Sequence, residues 1–202
     1  LDRENHYMIA NMLSVRRSLE HANEKRREME KANERLLEKS ETDPLTRLAN
    51  RFRLNDYLER AFERTRDDHR AFAVEILDID YFKEYNDNYG HQAGDACIVA
   101  IADELRKMQS HDTFCARYGG DEFIIIYEYK TEDEVFSMAD SLRERILDRR
   151  IEHVCSKALP VVTISQGICF DVAPEGSRSW DFLHAADMML YEVKKRSRNN
   201  IS

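Results

Sequence analysis

The residues from Glu4 to Lys39 contain neither Gly nor Pro, and Met8, Val15, Ala22, Met29 and Leu36 recur every seven positions. That period keeps one apolar stripe of an α-helix facing a partner, so the spacing predicts a long coiled-coil helix. The stripe four residues on begins apolar at Met12 and Leu19 and turns polar at Arg26 and Asn33, so the seam is strong only in its first half. The competing reading is a single solvated helix laced by charges between Glu24 and Glu41. The run stops at Thr42-Asp43-Pro44, because the residue before proline is pushed out of the helical region. A boundary is expected there, with residues 1–42 as a dimerising helix and 43–202 as one globular domain.

The second segment has the means to fold. With 42% hydrophobic residues, nine Tyr and nine Phe against six Gly and three Pro, the chain can bury a core, which excludes disorder and collagen-like structure. Residues 1–42 carry nine basic and nine acidic side chains, so the whole net charge of −8 falls on the remainder. An acidic domain disfavours a nucleic-acid backbone, and an anionic substrate would need metal ions to bridge. Apolar runs are too short to span a bilayer, and no signal segment opens the chain. The sequence starts at Leu1 without Met, so the expectation is a cytoplasmic piece of a longer protein with an upstream sensor. Cys97, Cys115, Cys155 and Cys169 form no CxxC pair, which suggests neither a zinc site nor disulfides.

Asn50 can cap a helix bearing Leu54, Leu58 and Phe62, and the apolar run Ala71 to Ile79 reads as a buried central strand. Helix faces follow beyond Gly94 (Ile98, Ile101, Leu105) and at Val135, Ala139, Leu142 and Ile146. Between them lies a hairpin, Thr113 to Tyr118 and Glu122 to Tyr129, turning at Gly119-Gly120. A strand at Val161 to Phe170 and a helix at Trp180 to Arg196 complete the pattern. The fold class is α/β in the α+β sense: helices around one sheet. Phosphate loops of the GxxxxGK type, nucleophile elbows and HExxH are absent.

Asp78 and Asp80 sit where the apolar strand ends, a place expected to expose them at the sheet edge on a rigid backbone. If the hairpin pairs beside that strand, Asp121 and Glu122 converge with Asp78 on one volume. Clustered oxygen donors suit magnesium, with substrate phosphates completing its shell. The plainer alternative is an acidic hairpin tip in water.

Arg117-Tyr118-Gly119-Gly120-Asp121-Glu122-Phe123 resembles the signature of the GGDEF family, diguanylate cyclases that condense two GTP into cyclic di-GMP. Asp43-Pro44-Leu45-Thr46-Arg47-Leu48-Ala49-Asn50-Arg51 is similar to its opening DxLTGLxNR segment. Asp78-Ile79-Asp80-Tyr81-Phe82-Lys83 with Asn86-Asp87, then Gly90-His91 and Gly94-Asp95, resembles its DxDxFKxxND and GHxxGD stretch. Tyr191, Lys194, Arg198 and Asn199 resemble its closing YxAKxxGRN. The ordered motifs run from Asp43 to about Asn199.

The resemblance implies a mostly antiparallel, palm-like sheet flanked by helices and a dimer of domains, each holding one GTP. It implies two magnesium ions, replaceable by manganese, on Asp78, the Ile79 carbonyl, Asp121 and Glu122. Asp121 and Glu122 would be catalytic, Asp121 either as base toward a ribose 3′-hydroxyl or as a metal ligand only. Asn86 and Asp95 would read guanine. Phe82, Lys83, Gly119, Gly120, Lys194 and Arg198 would contact the nucleotide, the cations at its phosphates. The plainer alternatives are that Asn86 caps a turn, that Asp95 caps a helix starting at Ala96, and that the cations are solvated helix ends; His91 reads as structural. Arg47, Ala49, Val193 and Ser197 depart from the motifs at positions of turns and packing. Ser110 and Thr113 stand where many members carry an inhibitory RxxD pair, so product inhibition through that primary site is not expected. A catalytically silent domain that binds GTP or a partner, and a coiled-coil scaffold, are the remaining alternatives.

Overall fold

A computed structural model describes the backbone of residues 2–39 and 41–202 and, within the first helix, the side chains of Met12, residues 15–31 and Leu36. The chain divides into two compact units, Leu1–Glu41 and Thr42–Ser202. The first is a single helix, α1 (Asp2–Lys39). Met12, Val15, Leu19, Met29 and Leu36 on its stripes are 59–68% exposed, an apolar edge without cover in one chain. Met8 and Asn33 of the expected seam lie outside the described side chains. Among the described residues no helix is long and apolar enough to cross a membrane.

The second unit is a sheet between two helical layers. Its elements are α2 (Arg51–Asp67), β1 (Ala71–Ile79), α3 (Phe82–Tyr89), α4 (His91–Met108), β2 (Thr113–Gly119), β3 (Glu122–Glu128), α5 (Glu132–Asp148), β4 (Ile164–Val172) and α6 (Ser179–Arg196). The strands run in the order β2-β3-β1-β4, every neighbour antiparallel. β1 is buried on both faces because its side chains alternate between two cores. Phe72, Val74 and Ile76 face α2 and α6 with Leu54, Leu58, Phe182 and Leu190. Ala73, Leu77 and Ile79 face α4 and α5 with Ile101, Leu105, Leu142 and Ile146. Phe72, Phe62 and Phe182 meet edge to face at 5.2–5.6 Å, each such pair adding about 1 kcal/mol beyond its burial.

Capping follows the sequence closely. The Asn50 side chain accepts from the Arg53 amide, and Thr131 and Glu134 close a capping box at α5. Arg47 stands where the resembling motif has glycine, and its φ is +60°. A side chain in that left-handed region costs about 1 kcal/mol, so Arg47→Gly is expected to raise unfolding stability by about that amount in a denaturant titration.

Glu75 points from β1 into the α4/α5 core, entirely buried. Its Oε2 accepts from Tyr127 Oη (2.6 Å) and its Oε1 from Gln166 Nε2 (2.7 Å). Burial outweighs both hydrogen bonds and pushes its carboxyl from 4.5 to about 7. A folded-state value above the unfolded one means that stability is fully present below about 4.5 and is lost as pH rises through 7, by about 3 kcal/mol in all. Glu75→Gln should therefore be the more stable protein at pH 8, with the gap closing toward pH 4.5, in parallel thermal melts.

Some expectations need correction. The helix α3 was not read from the sequence, being short, polar and entered through Tyr81 at φ +56° without a side-chain cap. α4 starts at His91 after Gly90, so Asp95 lies inside it and caps nothing. The hairpin turn sits one residue later than expected: Gly119 pairs with Glu122, and only Gly120, at φ +54°, takes the left-handed conformation. β4 starts at Ile164 instead of Val161 because Val161 bridges to Glu152.

Candidate active site

The antiparallel register sets Asp78, near the end of β1, directly opposite Glu122 at the start of β3. Side chains in register share a face of the sheet, so both project toward the α6 side. Asp121 precedes Glu122 in the turn. The Asp80 amide donates to the Thr163 carbonyl (2.9 Å) on the β4 side. The trans peptide unit places the Ile79 carbonyl antiparallel to that N–H, hence toward β3 and the hairpin acids. Three carboxylates and one carbonyl are thus gathered by the pairing of β1 with β3.

Their electrostatics show the crowding. Burial drives the Asp78 carboxyl from 3.8 to about 6, with Asp121 and Glu122 adding to the rise and Lys194 opposing it. Burial also raises Asp121, and raises Glu122 with help from Asp121 and Asp187. The Lys194 ammonium, from α6, lies 2.7 Å from Asp78 Oδ2. A cation therefore already stands among these acids, and hard oxygen donors around a positive charge are the donor set a divalent ion takes. Among the described residues no three or more His, Cys, Asp and Glu side chains are arranged to hold a metal by themselves. A small hard ion that keeps one or two carboxylates and takes its other oxygens from phosphates and water fits such a set.

The hairpin tip is fixed from behind. Arg117 Nε and Nη2 donate to the Gly120 carbonyl (3.1 and 2.8 Å), while its Nη1 donates to Asp43 Oδ1 (3.2 Å). Asp43 in turn accepts from the amide and hydroxyl of Thr46 at 2.8 and 2.7 Å. The opening segment thus braces the turn across 74 residues, a role for Arg117 and Asp43 that sequence spacing could not reveal. A Cβ on Gly119 or Gly120 would meet no protein atom within 4 Å, so the outer side of the turn is open.

On the other side of the sheet Asn86, on α3, packs against Gly94 of α4, the residue before Asp95. A Cβ at Gly94 would lie 1.8 Å from Asn86 Oδ1, so only glycine leaves room for that amide. The buried Asn86 Oδ1 has no hydrogen-bond partner, and Asp95 is exposed. Asp95 is the carboxylate here that is open to a ligand with several donors, while the Asn86 oxygen is enclosed against Gly94.

Other expected residues are placed differently. The Phe82 side chain is in the core, parallel to Tyr85 at 6.1 Å, leaving only its main chain to a ligand. Lys83 is exposed on the first turn of α3. Lys194 and Arg198 are engaged by acids, Arg198 Nη1 lying 3.6 Å from Asp80 Oδ1. Asp80 is wholly buried and not at an exposed edge: Thr163 Oγ1 and Ser165 Oγ donate to it at 2.8 and 2.7 Å.

The sequence matches the family described as diguanylate cyclase, GGDEF domain, over residues 40–200. The chain belongs to the GGDEF family. It is 35% identical over 159 residues to the bifunctional diguanylate cyclase/cyclic di-GMP phosphodiesterase MucR of Pseudomonas aeruginosa, an overlap of 78% of this chain and 22% of MucR. The diguanylate cyclase DgcP of Escherichia coli is 30% identical over 163 residues, 81% of this chain and 47% of that protein. The chain therefore spans less than half of either relative. Among solved structures, the coiled coil and GGDEF domain of DgcB from Caulobacter crescentus, in complex with c-di-GMP, superposes with a TM-score of 0.74 at 28% identity, covering 94% of this chain and 98% of that one. The diguanylate cyclase SiaD of Pseudomonas aeruginosa, in complex with its activator SiaC, gives 0.71 at 27% identity, covering all of this chain and 75% of SiaD. The fold of this GGDEF chain, an antiparallel sheet flanked by helices, is theirs.

Proposed function

We propose that this GGDEF domain is a diguanylate cyclase joining two GTP into cyclic di-GMP with release of two pyrophosphates. The observation that carries the reading is the convergence of Asp78, the Ile79 carbonyl, Asp121 and Glu122 at paired strand ends in a GGDEF-family chain. Asn86 and Asp95 hold guanine: the carboxylate accepts from its N1 and N2 donors and the amide supplies complementary contacts, while adenine would leave the carboxylate unmatched. Lys83, Lys194, Arg198 and the Phe82 main chain receive the phosphates, and Gly119 and Gly120 let the turn approach the nucleotide. Magnesium held by oxygens of this set together with phosphate and water oxygens would supply charge stabilisation at the α-phosphate and at the leaving pyrophosphate.

Each of the two condensations forms a bond from a ribose 3′-oxygen to an α-phosphorus and breaks the bond to pyrophosphate, the second closing the ring. Asp121, raised by burial, accepts the 3′-hydroxyl proton or serves only to bind the ion. Asp121→Asn that still binds GTP in the presence of magnesium but does not turn over assigns the base; loss of magnesium-dependent GTP binding assigns the ligand.

One domain holds one GTP, so two must face each other. The exposed apolar stripe of α1 supports a homodimer that raises their local concentration, and its polar second half lets an upstream sensor bias two packings. Incubation with GTP and magnesium at several protein concentrations, followed by chromatography, tests the reading. Cyclic product whose specific rate rises with concentration supports it, whereas GTP that is bound but unchanged would establish a silent domain. Ser110 and Thr113 offer no bidentate partner to a guanine edge, so added cyclic di-GMP should leave turnover unchanged in a titration up to millimolar product.

A further inference from the structure

Asp80 has no solvent exposure, although it follows directly on the strand that carries Asp78. Its two oxygens accept from Thr163 Oγ1, Ser165 Oγ and the Asn199 amide (3.0 Å), and the Arg198 guanidinium lies beside them. A buried carboxylate is costly unless its partners hold it, and here they come from two separated stretches of chain, 163–165 and 198–199. What it holds is strained. Tyr81, Arg198 and Asn199 have φ values of +56°, +53° and +44°, a region that residues with side chains rarely occupy. The Arg198 guanidinium covers the Tyr81 ring at 4.4 Å, and His153 Nε2 lies 3.0 Å from the Tyr81 carbonyl. Such strain persists only where the surroundings over-determine it, and it gathers at functional sites.

We propose that Asp80 is a positioning residue for the phosphate end of the substrate: its buried carboxylate fixes the strained Arg198–Asn199 turn and so aims the Arg198 guanidinium beside the Asp78 end of β1. The inference rests on the reading of this rim as the GTP site. Asp80 touches no substrate in this scheme and acts through Arg198. Guanine recognition by Asn86 and Asp95 on α3 and α4 is independent of it.

The test is a double-mutant cycle read by calorimetric binding of GTP and of guanosine, both with magnesium, to wild type, Asp80→Asn, Arg198→Ala and the double variant. Asp80→Asn should weaken GTP by roughly tenfold and guanosine by less than about twofold; in the Arg198→Ala background it should add less than about twofold. A merely structural role would weaken GTP and guanosine by the same factor, and independent action would make the two substitutions additive; either result overturns the proposal. Should Asp80→Asn fail to fold, the Thr163→Val and Ser165→Ala variants keep the charge but slacken its hold. They should show a smaller loss confined to GTP, and an equal loss of both ligands overturns the proposal again. Wild-type protein that binds neither ligand would refute the site reading itself, whereas GTP binding without the coupling refutes only the role of Asp80.

Discussion

Asp78→Asn is expected to lower cyclic di-GMP formation by roughly a thousandfold while leaving the fold intact. The substitution keeps the shape of the side chain and removes the charge that faces Glu122 across the register and Lys194 across the cleft. Several kilocalories of charge stabilisation at the reacting phosphate depend on that carboxylate, which is why the effect is large. Stability should not fall in step, because the Asp78 carboxyl is pushed up to about 6 by burial, so its negative charge is a cost to the folded state at neutral pH. Product chromatography beside a thermal melt checks both halves. Retention of a tenth of the activity would remove Asp78 from the machinery.

Gly167→Ala is the largest expected loss of stability. Gly167 lies on β4 under α6, where an added Cβ would come within 2.2 Å of the Leu190 amide nitrogen and 2.3 Å of the Ala186 carbonyl oxygen. Both are backbone atoms of a helix and cannot rotate away, so α6 must lift from the sheet. Overpacking of that kind costs about 3 kcal/mol, a large share of a domain's total stability. Because α6 carries Lys194, binding of GTP should weaken as well. Gly119→Ala is the control, since its Cβ would meet nothing within 4 Å. Urea titrations of the two variants should separate them clearly, and equal midpoints would contradict this packing of α6.

The sheet and its helices were legible because their signals are local and repeated: β1 is a mostly apolar run of strand length, and Asn50 announces α2. Asp121 and Glu122 were placed together by the tight turn, but Asp78 could join them only on the condition that β3 pairs beside β1, a non-local pairing the turn does not dictate. What stayed hidden depends on partners distant in sequence. Asp80 looked like a twin of Asp78, but it lies just past the end of β1, where Thr163 and Ser165 bury it. Arg117 finds Asp43, and Gly94 makes room for Asn86, through contacts that no periodicity encodes. Phe82 was placed at the nucleotide by the family resemblance alone, while its ring belongs to the core. The α3 helix was missed because eight mostly polar residues give too little pattern.

Manganese scatters anomalously and takes the same oxygen donors as magnesium, so crystals grown with manganese and a non-hydrolysable GTP analogue examine the gathering of acids directly. An anomalous peak within roughly 2.2 Å of the Asp78 carboxylate and the Ile79 carbonyl, with Glu122 or Asp121 and nucleotide phosphate oxygens in its shell, is the expected result. A nucleotide bound with its metal elsewhere, and Asp78 still closed on Lys194, would contradict it.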